Sequence, residues 1–100
     1  MTNYAAGWNM GGYSPDDPDN IHITDDWLSA ARYIAETIEL WWDQDYDNGN
    51  YDREVIDGRY LPAHTEIYNA TRDSAFHTSI DMGSYTMHMW IEPTDQPADV

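Results

Sequence analysis

Apolar positions along the chain repeat with two different periods. Near the N-terminus the period is two: Tyr4, Ala6, Trp8 and Met10 share one parity and Ala5, Gly7 and Asn9 the other, which predicts a strand over 2–10. Further on the period becomes helical. Trp27, Ala31, Ile34, Ile38 and Trp41 recur at spacings of four, three, four and three, widened by Leu28, Ala35 and Trp42, with Arg32, Glu36 and Glu39 outside the stripe. Thr24 is the expected N-cap, and Asp25 and Asp26 fall in the first turn, where the helix dipole favours anions. The helix is predicted over 25–42. Towards the C-terminus the period returns to two, in Phe76, Thr78 and Ile80 and again in Tyr85, Met87, Met89 and Ile91. A two-residue turn at Met82-Gly83 sets Ile80 opposite Tyr85, Thr78 opposite Met87 and Phe76 opposite Met89, so both apolar faces coincide.

The segments between are polar. Residues 11–20 hold two Gly, two Pro and three Asp and read as loop, followed by a short extended piece at Ile21-His22-Ile23. Residues 43–60 read as an acidic loop. Pro62 suits the first position of a second helix, which His64, Ile67, Tyr68 and Thr71 carry to Asp73. Pro93 is expected to end the last strand and leave a flexible tail over 94–100. The sum is an α+β domain over 1–93 in the order β-α-α-β-β. Its three-stranded antiparallel sheet has two helices on one face, and the first strand pairs with the last.

Composition tests whether this pattern folds. Leu, Ile, Val and Phe supply only 14 of 100 residues, and the net charge is −15, a combination typical of disorder. The chain also holds five Trp, eight Tyr and five Met, and each aromatic side chain buries about 150–250 Å². A mean hydropathy of −0.76 undervalues such residues. We expect a folded domain with an aromatic and Met core, compacted against its own charge.

The charge narrows function. All four cations are Arg (Arg32, Arg53, Arg59 and Arg72), against nineteen acids, which disfavours direct contact with nucleic acid or with an anionic membrane surface. No apolar run approaches the ~18–20 residues of a spanning helix, and no basic-then-apolar leader marks a secretory signal. Without cysteine there is no disulfide or thiolate chemistry. Nucleophile-elbow, phosphate-loop and dinucleotide signatures are missing, so no enzymatic activity is expected.

Three features carry candidate chemistry. Asp43, Asp45, Asp47 and Glu54 occupy positions 1, 3, 5 and 12 of an EF-hand-like calcium loop over 43–54. Asn48 replaces its usual Gly, Asn50 its usual aliphatic residue, and the exit at 55–58 is a poor helix. Calcium is the only cofactor the sequence suggests. Second, the predicted hairpin sets His77 opposite His88, two imidazoles short of the ligands a structural zinc needs. Third, thirteen of the nineteen acids lie within 16–57. In an extended chain alternate residues stand about 6.6–6.8 Å apart, near the spacing of neighbouring phosphates. Asp43, Asp45, Asp47 and Asp52, extended by Asp16, Asp17 and Asp19, then present a DNA-like negative array, with Tyr46 and Tyr51 interleaved for stacking or hydrogen bonding. The expected partner is a basic nucleic-acid-binding protein, met by a monomer or homodimer.

The opening Tyr4-x-x-Gly7-Trp8-Asn9-Met10-Gly11-Gly12-Tyr13-x-Pro15 resembles the start of small acidic proteins encoded by bacteriophages, mostly of actinobacteria. These often begin with a strand ending in Asn-Met-Pro-Gly-Tyr-x-Pro; Gly11 replaces the usual Pro. Thr24-Asp25-Asp26-Trp27 and Met89-Trp90-Ile91-Glu92 resemble them too, so the likeness covers both ends of the chain and is weak in the middle. That family has no assigned function. In size and charge the chain is also similar to phage anti-restriction and anti-CRISPR proteins, several of which are DNA mimics. These resemblances imply an inhibitor acting in the host cytoplasm on a defence protein; the alternatives are a calcium-binding module and a phage structural protein.

Overall fold

The computed structural model describes residues 2–49 and 51–98. Six elements follow in order: β1 (Asn3–Met10), β2 (Asn20–Thr24), α1 (Trp27–Asn48), α2 (Arg53–Tyr68), β3 (Phe76–Asp81) and β4 (Thr86–Thr94). The class is α+β, with four antiparallel strands ordered β2-β1-β4-β3 in place of the expected three. The first strand does pair with the last. The fourth strand is the segment at Ile21-His22-Ile23. It pairs with β1 through Ala5↔Ile23 and Gly7↔Ile21, which sets both isoleucines on the face of the sheet away from the helices.

Both helices depart from their predicted bounds. Thr24 ends β2, and Asp26 is the N-cap of α1, accepting from the Leu28 amide at 3.3 Å. The helix runs six residues past 42, through the acidic stretch expected as loop. Its inward side chains are tied to α2 there. The Trp42 indole (2.9 Å) and the Tyr46 hydroxyl donate to Asp57, and the Tyr60 hydroxyl (2.6 Å) and Arg59 (3.2 Å) donate to Asp45. Gly49, at φ 66°, then ends the helix in the left-handed conformation that glycine accepts. α2 begins nine residues before Pro62. Its buried stripe is Ile56, Tyr60, Ala63 and Ile67, at spacings of four, three and four. Pro62 sits inside it, on the exposed side with Gly58, the residue whose carbonyl bond it removes.

The hairpin is two residues out of the expected register: Ile80 pairs with Met87, Thr78 with Met89 and Phe76 with Ile91. A shift of two preserves side-chain parity, so the apolar face is unchanged. The connection is a wider turn over residues 82–85, closed by Met82 N–H to Tyr85 O at 2.9 Å and by Gly83 N–H to Asp81 Oδ1 at 2.8 Å. Tyr85 therefore lies in the turn. Pro93 does not end β4. Beyond Ile91 that strand has no β3 beside it, and a proline is tolerated on such an edge. The expected tail is strand at Thr94, and Gln96 O accepts from Asn3 Nδ2 at 2.8 Å; 99 and 100 lie outside the described residues.

The main core fills the space between helices and sheet: Ile34 and Ile38 from α1, Ile56 and Tyr60 from α2, and Ala6, Ile80, Met87, Met89 and Ile91 from the strands. On the opposite face the 11–19 segment lies over Asn9 and Trp90. Trp90, 1% exposed, lies against Gly7, where a Cβ would stand 2.9 Å from the indole and 2.8 Å from Asn20 O. Only glycine admits that approach.

Candidate functional site

The predicted acidic array is not extended. On a helix each residue turns about 100°, so every second residue points nearly the opposite way. Asp43 and Asp47 are exposed on the outer side of α1, whereas Asp45 faces inward to Arg59 and Tyr60. Burial and the Asp45 carboxylate push the Tyr60 hydroxyl pKa well above its ordinary value. Tyr46 and Tyr51 are not free ligands either. Tyr46 donates to Asp57 beneath the Arg53 guanidinium, 5.3 Å from its ring centroid, and Arg59 lies 5.1 Å from the centroid of exposed Tyr51. Donation from Tyr46 and Trp42 holds the Asp57 pKa below the usual carboxylate value. Asp52 is exposed at the N-cap of α2, and its carbonyl accepts from the Val55 and Ile56 amides. In the 11–19 segment Asp16 and Asp17 are exposed, while Asp19 accepts from the Met10 amide at 2.7 Å.

The helix instead lines up two of the array residues, Asp43 and Asp47, with two residues outside the apolar stripe, Glu36 and Glu39. Glu36 and Glu39 precede Asp43 and Asp47 at spacings of three, four and four, all exposed. Glu36, Asp43 and Asp47 fall within about 40° of one another around the axis, with Glu39 at their flank. The first three make no hydrogen bond or ion pair with another described residue; Glu39 stands 3.6 Å from His64 Nε2. This acidic ridge was legible as a spacing only once residues 43–48 are read as helix.

The residues expected as a calcium loop do not share one loop. Asp43, Asp45 and Asp47 are helical, Glu54 is in the first turn of α2, and Asn50 lies outside the described residues. Among the described residues no three His, Asp or Glu side chains are grouped to hold a metal ion. His77 pairs with Trp90 and His88 with Ser79, not with each other, yet the rings meet diagonally, Nε2 to Nδ1 at 3.1 Å. Tyr13 lies over them, 4.3 Å from the His77 ring centroid and 5.5 Å from that of Trp90, and donates to Glu92 at 2.9 Å.

Among the described residues, cavities open on the surface in two places of interest. The larger, about 500 Å³, lies between α1 and α2 beside Trp27, Leu28 and Tyr68, with Arg32, Arg72 and Glu36 at its rim. Charges of both signs there select no ligand class. The smaller, about 230 Å³, lies at the C-terminal end of α1 among Trp8, Trp41, Tyr60 and Tyr85. No helix of the described residues is long and apolar enough to cross a membrane. No protein-family model, no curated protein and no solved structure matches the chain.

Proposed function

We propose that the protein is a small acidic binding protein, of phage or mobile-element origin, that occupies the basic groove of a host nucleic-acid-handling protein. The observation that carries this reading is the acidic ridge of α1: Glu36, Asp43 and Asp47 stand in line, exposed and uncommitted, with no basic residue between 36 and the helix end. Four carboxylates, counting Glu39, span about 16 Å at ~1.5 Å per residue. That is roughly one charge per 5.5 Å, against ~3.4 Å per strand in DNA. The ridge is a coarse electrostatic substitute for a strand, not a phosphate-by-phosphate copy. Asp16, Asp17 and Asp52 add to the field without lying on the ridge, and Asp45 and Asp19 are engaged internally. The provenance rests on the residue resemblance at both ends of the chain, and the host cytoplasm follows from it.

The test is capture from bacterial lysate on immobilised protein, with elution by salt and, separately, by duplex DNA. A nucleic-acid-binding protein that DNA displaces is expected, with at least about tenfold weaker capture by Glu36→Gln/Asp43→Asn/Asp47→Asn. Single changes weaken it modestly, because exposed charges act collectively. Equal capture by the triple variant, or a captured protein indifferent to DNA, rules the reading out.

A further inference from the structure

The smaller cavity lies on the opposite side of α1 from the acidic ridge, and its chemistry is different. Its walls come from three elements that meet at one end of the molecule: Trp8 from β1, Trp41 and Asp45 from α1, and Tyr85 from the β3–β4 turn, over a floor that includes Tyr60 and Met82. The two indoles meet edge to face, centroids 5.3 Å apart and planes at 86°, and so form a corner. Both are half-buried, and Tyr85 is exposed at the mouth. We infer that this corner is a binding site for a methylated ammonium group, such as the head of choline or a trimethylated lysine.

Four observations point to that class. Aromatic faces attract a cation through their quadrupole, and indole does so best. A volume of about 230 Å³ is below the ~300–1,000 Å³ of pockets that enclose a whole ligand, so it suits a headgroup. The cavity also borders the last turn of α1, the negative end of the helix dipole, and that turn carries no basic residue. Finally, the chain's charge of −15 concentrates cations at its surface. Asp45 is already paired with Arg59 and accepts from Tyr60, both through Oδ2, so the indole corner and not this carboxylate is the distinctive feature of the site. Gln44, Asp45 and Asn48 make one wall polar, while the indoles and the Met10, Met82 and Met87 side chains offer methyl groups an apolar, polarizable surface.

Choline is the probe, titrated into the full chain at constant ionic strength against sodium, with the indole N–H signals followed by NMR. The signals of Trp8 and Trp41 are expected to shift saturably. Those of Trp27 and Trp42, whose indoles donate to Ser74 O and Asp57, stay in place. The neutral isostere 3,3-dimethylbutan-1-ol binds at least about tenfold more weakly, because it keeps the shape and loses the charge. Trp41→Leu abolishes the shift; should that variant fail to fold, Tyr85→Ala, at an exposed turn, is expected to weaken binding several-fold. Equal binding of the neutral isostere, unmoved Trp8 and Trp41 signals, or full affinity in Tyr85→Ala overturns the assignment.

Discussion

On the helix side of the sheet, Ala6, Ile80, Met87, Met89 and Ile91 meet Ile34, Ile38, Ile56 and Tyr60, and nearly every contact is apolar. On the reverse side Trp90 is equally buried, but its cover is a loop, and the residues that hold that loop are polar. Asn9, 4% exposed, donates to Asp17 O at 2.9 Å and accepts from the Ser14 amide at 3.0 Å. Asp19 N–H reaches Trp8 O at 3.1 Å, and Gly11 N–H reaches Thr86 O at 2.8 Å. The loop has almost no periodic apolar content, so directed hydrogen bonds position it where area does not. One face is stabilised by area and shape, the other by satisfied polar groups that let a single tyrosine lie on a tryptophan.

The contrast breaks first at Ile34. It is fully buried, and Ile34→Ala leaves a cavity between α1 and the sheet, with an expected loss of about 2–5 kcal/mol in urea denaturation. Asn9→Ala acts on the other face. It leaves the Ser14 amide and the Asp17 carbonyl without partners, with an expected loss of about 1–3 kcal/mol. Near-ultraviolet circular dichroism of Asn9→Ala should change in the Tyr13 and Trp90 environment while the helical signal persists. If the two variants cost the same and both lose helix, the faces are one cooperative core and the distinction fails.

The sequence shows the first face better than the second for a physical reason. Burial against a helix or across a sheet repeats, so the Trp27–Trp41 stripe and the parity of β1, β3 and β4 are readable residue by residue. Even the register error in the hairpin kept the correct side chains inside, because it was a shift of two. The strap over 11–19 leaves no repeat. Its anchors are one asparagine and a set of backbone amides, and nothing in Gly-Gly-Tyr-Ser-Pro marks Tyr13 as the residue that covers Trp90. The helical state of 43–48 was hidden by composition: Asp and Asn read as loop, and their helix depends on Asp45, Tyr46 and Trp42 reaching α2. Both the calcium spacing and the extended acidic array depend on those residues being loop, and they are helix. Reading them as loop concealed the ridge, which needs residues 36 and 47 on the same helix.

The smallest expected effect sharpens the comparison most, because only the strap face carries adjacent imidazoles. Burial beneath Tyr13, and then the neighbouring His88, push the His77 pKa below its ordinary 6.5; Glu92 and Glu66 oppose this. A lowered folded pKa means that the unfolded chain binds the proton more readily. The stability linked to His77 is therefore fully present above about pH 6.5 and is lost as pH falls through the lower folded value. Urea midpoints between pH 7.5 and 5.5 should decline modestly, with the Tyr13 and Trp90 signals changing before the helical one. His77→Gln, which cannot take up the proton, should flatten that decline while leaving the helix-side core untouched. An unchanged slope in this variant would place the titration elsewhere. The strap would then be held by Asn9, Tyr13 and its backbone bonds to Trp8 and Thr86, whatever the charge on the rings beneath.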